Sequence, residues 1–529
     1  MSALSAAQLL DQPFTTVPAL IQAFAREQPQ HLALIHTDRQ LTYAELDALM
    51  DRIAASLQRD GLKAGDPIAI CASSSIEYAA LYVGALRAGV VVAPLAPSST
   101  PDGLATMIAD AGARHVFVDA STANLFATSR AHIKARFFAL DDAGTDSTGA
   151  PVGDSFKQWL VDAGTKPAPV ELSRELPFNI IYSSGTTGTP KGIVQSHFMR
   201  WMHVQRAAIN LYDTKTITLL ATPLYSNTTL VSFFPTIARG GTVILMAKFD
   251  AASYLAIAQK QRVTHTMLVP VQYQRIMALP TFGDFDLSPF RMKQCTSAPF
   301  GAALKADILA RWPGGLVEVY GMTEGGGTCS LRAHENPDKL HTVGKPAPGH
   351  DIRLIDDSGK EVAQGEIGEV VGRSPAMMNG YHNQPEKTAE SEWRDGDGNR
   401  FIRTGDVGRF DAEGFLTLMD RKKDMIISGG FNIYPSDLEA TLREHTDIAD
   451  VAVVGVPSEK WGETPVAFVV KKPHSKVGVD ELTTWFNGKV GKTQRLAKLE
   501  FMDQLPRSAI GKVLKRELRD AFSARGESV

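Results

Sequence analysis

The sequence predicts an α/β protein, and three observations lead there. Short apolar runs bounded by turn residues alternate with helical patterns through the first two thirds of the chain. Consecutive runs are separated by a helix's length rather than by a two-residue turn, which favours parallel pairing. From about residue 342 the texture changes to short strands with frequent glycine, so a smaller β-rich part follows the α/β body.

The elements follow in order. Thr42-Tyr43-Ala44-Glu45 reads as a capping box, in which hydroxyl and carboxylate each satisfy a free amide at a helix start. Leu46, Leu49, Met50, Ile53 and Leu57 recur at helical spacing, and Gly61 is the stop. Pro67-Ile68-Ala69-Ile70-Cys71 reads as a buried strand, Ile76–Arg87 as a helix ended by Gly89, and Val90-Val91-Val92-Ala93 as the next strand. Residues 143–169 form a polar stretch that reads as a surface connection. Beyond it Asn179-Ile180-Ile181-Tyr182, Thr216-Ile217-Thr218-Leu219-Leu220, Gly241-Thr242-Val243-Ile244-Leu245 and Thr266-Met267-Leu268-Val269-Pro270 continue the strand series. Asp351–Ile355 and Gly368-Glu369-Val370-Val371-Gly372 belong to the β-rich part, and a main boundary is expected at the charged run Asp420-Arg421-Lys422-Lys423-Asp424.

Composition excludes several classes. With 529 residues the chain suits two to four domains, and 44% hydrophobic against 21% charged residues argues against disorder. The net charge of −3 gives no electrostatic grip on nucleic acid or an anionic membrane. Three scattered cysteines (Cys71, Cys295, Cys329) support neither a disulfide framework nor a zinc site, and His197, His203 and His265 read as satisfied structural histidines. The amino-terminal residues show no leader pattern, and the most apolar stretch, 79–95, is broken by Arg87 and Pro94. A cytoplasmic protein with no membrane span is expected.

The chemistry is concentrated after the strand at 179–182. Ser183, Ser184, Gly185, Thr186, Thr187, Gly188, Thr189 and Lys191 form a loop that offers amides, hydroxyls and an ammonium to a polyphosphate. It is not a Walker A loop, since Pro190 falls where that motif needs glycine and Gly192 follows the lysine. Further on come Tyr320-Gly321-Met322-Thr323-Glu324, Arg403-Thr404-Gly405-Asp406, the charged run at 420–424, and Pro506-Arg507-Ser508-Ala509-Ile510-Gly511-Lys512. Taken singly, each has a bland alternative: a strand end with a helix cap, a turn, a solvated linker, a solvated lysine.

Taken together and in this order, the five motifs resemble those of the adenylate-forming superfamily, which includes acyl-CoA synthetases, adenylation domains of peptide synthetases and luciferases. The resemblance runs from about residue 16 to 518. It implies an AMP-binding domain at 1–419, with α/β lobes of parallel sheet at about 1–170 and 171–341 and a β-barrel-like subdomain at about 342–419. A small mobile α+β lid at 420–529 would complete the chain.

The resemblance also implies roles. Ser183 to Thr189 and Lys191 would hold the phosphates, with Thr186 catalytic; Tyr320 and Gly321 would meet adenine, Thr323 the α-phosphate and Asp406 the ribose. Glu324 would be catalytic through Mg²⁺, which suits a carboxylate ligand bridging phosphates. Lys512 would stabilise the adenylation transition state, Arg421 would sit at the hinge and meet the nucleotide, and Ser428, Gly429 and Gly430 would flank the CoA channel. Trp201, Tyr225, Met322 and Gly325 are candidate acyl-pocket residues, with Phe233 and Phe234 more in character as core. Many relatives have His after the aromatic at 225, where this chain has Ser226.

The implied function is an ATP-dependent acid–CoA ligase acting on an apolar fatty or aryl carboxylic acid as monomer or homodimer. An enzyme loading a separate carrier protein, a luciferase-like oxidative enzyme and an inactive nucleotide sensor are the rivals; Lys191, Glu324, Asp406 and Lys512 speak against the last.

Overall fold

Thr42 does open a helix, Tyr43–Arg59, with both halves of the capping box formed. Leu46, Met50, Ile53 and Leu57 are fully buried on one face of it. The computed structural model describes residues 3–141, 149, 152–183, 190–421, 424–428, 431–458, 461–491, 494–508 and 511–525, and the side chains of Ser183, Asp420, Arg421, Phe431 and Asn432 lie outside that description. Two units emerge: one of residues 1–340, 346–351 and 373–402, the other of 341–345, 352–372 and 403–529.

The first unit holds two large sheets. One runs, in spatial order, Gly380–Tyr381, Lys191–Ser196, Pro177–Ser183, Val91–Pro94, Pro67–Cys71, His115–Val118, Arg136–Ala139 and Asp154–Ser155. Its strands from Pro177–Ser183 to Asp154–Ser155 are parallel, whereas Lys191–Ser196 returns antiparallel beside Pro177–Ser183. The other contains Gly315–Gly321, Met292–Cys295, His265–Leu268, Ile217–Leu220, Thr242–Leu245 and Leu32–His36 as a parallel set, with Thr328–Arg332 and Arg39–Thr42 antiparallel at its ends. Helices between the strands bury apolar faces against them; Phe178, Phe233, Phe234 and Tyr82 interlock edge-on at 4.8–5.3 Å in the shared core.

The second unit has a curled sheet that includes Ile367–Arg373, Arg400–Phe410 and Leu416–Arg421, and a separate sheet of Phe431–Ile433, Ile426–Ser428, Gly462–Lys471, Ile448–Ser458 and Lys498–Met502. The helices Pro435–Arg443, Val479–Asn487 and Lys515–Ser523 accompany the latter. No helix among the described residues is long and apolar enough to cross a membrane.

Two local expectations need correction. The strand expected at 266–270 ends at Leu268, and Pro270 opens the helix Pro270–Met277. Proline's fixed φ and missing amide suit the first helical position, which outweighs the apolar run. The polar stretch at 143–169 is more than a surface connection, because Asp154–Ser155 joins the sheet and Phe156–Trp159 forms a helical turn. Trp159 is buried against Phe117 and Phe138, and its indole N–H donates to Asp60 at 2.7 Å. Two aromatic rings anchor what average polarity hides.

The histidines divide. His265 is satisfied, its ring nitrogens lying 2.8 Å from Thr264 Oγ1 and 2.9 Å from Asn210 O. His197 is not, since neither ring nitrogen has a partner among the described residues. It packs edge-on against Phe178 at 5.0 Å, and burial lowers its pKa from 6.5 to about 4. Between pH 6.5 and 4 the unfolded chain therefore takes up a proton that the folded one refuses, so stability falls as pH falls through that window. The shift corresponds to about 3 kcal/mol by its lower end. Replacing His197 with Phe is expected to flatten this part of the acid sensitivity, read as the urea midpoint at pH 7 against pH 5. An unchanged slope in the variant would refute the assignment.

Candidate active site

In sequence, the phosphate-loop candidates fall between the strands Pro177–Ser183 and Lys191–Ser196. Tyr182 pairs with Gly192 and Ser183 with Lys191 across the antiparallel pair Pro177–Ser183 and Lys191–Ser196. Ser184, Gly185, Thr186, Thr187, Gly188 and Thr189 lie outside the described residues, as does the Ser183 side chain. Lys191, where the chain returns, extends its ammonium to 5.0 Å from the centroid of Tyr381. The Tyr182 hydroxyl is turned away, donating to Asp110 at 2.7 Å.

Glu324 meets the same tyrosine. The Tyr381 hydroxyl donates to Glu324 Oε1 at 2.9 Å, and burial together with that carboxylate pushes the phenol pKa up. One ring thus joins the lysine of the first motif and the glutamate of the second. Tyr381 was not among the sequence candidates, for it lies far downstream in the short strand Gly380–Tyr381, whose local pattern carries no signal.

The Tyr320–Glu324 motif leaves the strand Gly315–Gly321, which is braced from below. Lys305 pairs with buried Glu318, and Lys293 on the neighbouring strand donates to the carbonyls of Trp312, Pro313 and Gly314. Past the strand, Thr323 O accepts from Gln195 Nε2 at 2.7 Å, Glu324 O from Met378 N at 2.8 Å, and Gly325 O from Ser374 Oγ at 2.8 Å. Two separate segments, one with Gln195 and one with Ser374 and Met378, therefore fix three successive carbonyls. Met322, half-buried, packs on the cluster of Ile193, Met378, Tyr381 and Ile402.

Gly325 has φ +74°, and a Cβ there would stand 2.2 Å from Ala376 O and 2.8 Å from Met199 Cε. Gly325→Ala is expected to cost about 2–4 kcal/mol from left-handed strain plus overpacking. It should also displace Glu324 and slow the adenylate formation that the resemblance of the motifs implies. Thermal melting and pyrophosphate release measure the two effects; a variant matching wild type in both would show that the turn tolerates a side chain.

Gln195 belongs to a buried polar network that the sequence reading missed. Arg200, fully buried, donates through Nε and Nη2 to Asn179 Oδ1 at 3.1 and 3.0 Å, through Nη2 to Asn227 Oδ1 at 2.9 Å, and also to Gln195 Oε1. Asn179 Nδ2 donates to Gln195 Oε1 at 3.0 Å. Burial lowers the guanidinium pKa to about 10, which leaves it charged at neutral pH. An arginine between Met199 and Trp201, on the inner face of a helix, was the available signal.

The pocket candidates separate. Trp201 is 2% exposed and donates its indole N–H to Pro13 O at 3.0 Å, a packing role, and Phe233 and Phe234 are fully buried core. Tyr225 is half-buried on the turn before the helix Asn227–Ala238. Ser226 is that helix's N-cap, accepting from Thr228 N at 3.3 Å, so the position serves backbone capping.

In the second unit, Asp406 follows Gly405 at φ +70°, and its amide donates to Thr404 Oγ1, whose hydroxyl donates to Val370 O at 2.8 Å. Arg403 reaches both Glu369 oxygens, at 3.2 and 2.9 Å. The Arg421 backbone pairs opposite Asp406. Lys512 sits in a turn in which Ser508 N donates to Lys512 O at 2.8 Å and Lys512 N to Ser508 Oγ at 3.2 Å, with Gly511 at φ +76°. Ser428, buried, pairs opposite Phe431; Gly429 and Gly430 between them lie outside the described residues. The three buried cysteines remain free thiols, and the described residues contain no group of three or more His, Cys, Asp or Glu suited to a metal ion.

Comparison with known proteins matches residues 21–382 to the AMP-binding enzyme family and residues 437–512 to the AMP-binding enzyme C-terminal domain. A feruloyl-CoA synthase of Amycolatopsis sp. is 35% identical over 506 residues, covering 94% of this chain and 97% of that protein. An indoleacetate–CoA ligase of Aromatoleum aromaticum is 33% identical over 514 residues, covering 94% and 96%. Among solved structures, ATP-bound MatB from Rhodopseudomonas palustris superimposes with a TM-score of 0.85 at 29% identity, covering 97% of this chain and all of that one.

Proposed function

The chain belongs to the AMP-binding enzyme family, and from that premise we propose that it is an ATP-dependent acid–CoA ligase. In the first step the acid's carboxylate attacks the α-phosphorus of ATP and pyrophosphate leaves. In the second the CoA thiol attacks the acyl carbon, releasing AMP and the thioester. The acid is already ionised at neutral pH, so the site needs no base for the first step. It must instead bring two anions together and spread the charge of the transition state.

Lys191 and the loop at 184–189 hold the phosphates, Thr323 bonds the α-phosphate, Tyr320 and Gly321 flank adenine, and Asp406 accepts from the ribose hydroxyls. Lys512 neutralises the developing charge. Glu324 is a single carboxylate with one oxygen already accepting from Tyr381. Such a donor suits Mg²⁺, which keeps several waters and takes substrate phosphate oxygens rather than an all-protein cage. Bound there, the ion would offset phosphate charge and ease pyrophosphate departure. For the second step the lid at 420–529 would turn about Arg421 and present Ser428, Gly429 and Gly430 to the pantetheine arm. Tyr225, Met322 and Gly325 would border the acyl pocket. The buried free thiols fit a reducing cytoplasm.

The observation that best supports this reading is the approach of Lys191 and Glu324 to the same residue, Tyr381, with Lys191 following residues 184–189 in sequence. A panel of acids with ATP and CoA, followed by mass spectrometry, is expected to yield acyl-CoA and AMP. Acyl-adenylate that persists beside CoA but is consumed by a pantetheinylated carrier would replace CoA as the acceptor. Light emission or an oxidised product would replace the ligase reading altogether.

A further inference from the structure

The helix His197–Arg206 leads away from the Thr323–Glu324 turn and carries a line of basic side chains. Its start is tied to that turn through Gln195, and Met199 lies against Gly325. Arg200 follows, then His203 and Arg206, and Arg206 Nη1 stands 2.5 Å from His350 Nε2. From Arg200 to Arg206 the helix advances about 9 Å. Arg200 is fully buried, while the other three are half-buried.

What is missing is an acid. Arg200 is held by three neutral amide oxygens, and among the described residues none of the four basic groups forms an ion pair with a carboxylate. The undescribed loop at 184–189 contains no acidic residue. Arg200 Nη1, His203 Nδ1 and His350 Nδ1 are buried without a partner. The proton affinity of His203 is lowered by burial and then by Arg200, Arg206 and His350. The negative end of the helix dipole amounts to about half a charge and acts over the last turn only. It offsets neither Arg200 nor the sum of two guanidiniums. Buried cations normally have a counter-charge, and among the described residues none supplies one here.

We propose that this basic line reads a second anionic group on the acid, so that the preferred substrates are carboxylic acids bearing a further carboxylate at the end remote from the reacting one. The proposal rests on the acid–CoA ligase reading and sharpens its substrate class. It departs from the apolar acid expected from the sequence. Arg200 would anchor the line, because Asn227 joins it to the segment that carries Tyr225, while Arg206 and His350 would meet the remote carboxylate.

The test uses pairs of acids of equal length that end in either methyl or carboxylate, assayed on the whole enzyme with ATP and CoA. A charge-assisted contact predicts that kcat/KM favours the carboxylate member by about 10- to 100-fold. Arg206→Met should bring that ratio close to one by raising KM for the carboxylate member, and Arg206→Lys should restore part of it. The wild-type ratio needs no variant to fold, so it stands as evidence by itself. Preference for the methyl member, or an unchanged ratio in Arg206→Met, overturns the proposal. If no acid of either kind yields adenylate or thioester, it is the ligase reading that fails.

Discussion

Lys512→Ala is expected to slow adenylate formation by about 10²–10³-fold, the usual loss when one donor aimed at developing charge is removed. The bonds between residues 508 and 512 should survive, because they use the Lys512 amide and carbonyl and the Ser508 amide and hydroxyl, none of which the substitution touches. Thioester formation from supplied acyl-adenylate should continue at close to the wild-type rate, since in the proposed mechanism the lid has withdrawn the lysine by then. Pyrophosphate release and thioester appearance, measured separately, distinguish the two steps. Equal loss in both would count against a rotating lid.

Glu324→Gln is the second large effect expected, again about 10²–10³-fold on adenylate formation. Glutamine keeps an oxygen for the Tyr381 hydroxyl, which now donates to Glu324 at 2.9 Å, and keeps the side chain's shape. Only the charge is removed. The variant should therefore melt near the wild-type temperature while needing much more Mg²⁺ for the same rate. Titration of Mg²⁺ against pyrophosphate release measures this, and an unaltered Mg²⁺ requirement would take Glu324 out of the metal's coordination. Removing Mg²⁺ from the wild type with a chelator should abolish the same step.

Much of the α/β body was legible because periodicity is a local property. The strand Pro67–Cys71 and the helix Ile76–Arg87 have the limits expected of them, and the box at Thr42 forms in full. The signal failed where local and tertiary forces diverge. Pro270 continues an apolar run yet starts a helix, and Phe156 and Trp159 give order to a polar stretch by finding partners in a distant sheet. Ser226 was noted as a departure from related sequences, and its work as an N-cap became evident only with the following helix in place.

The candidate site shows the same division at the level of side chains. Lys191, Thr323, Glu324, Asp406 and Lys512 were recognisable because each stands in a contiguous motif, where residue type and spacing carry the chemistry. Tyr381 is 57 residues from the Glu324 it contacts, and His350 is 144 residues from Arg206. Arg200 looks like any helical arginine until its partners prove to be Asn179, Gln195 and Asn227 rather than a carboxylate. The sequence alone determined the fold class and the family, since these follow from short-range pattern. The tertiary structure alone decided which charges are compensated, because burial and pairing are set by segments that meet only when the chain has folded.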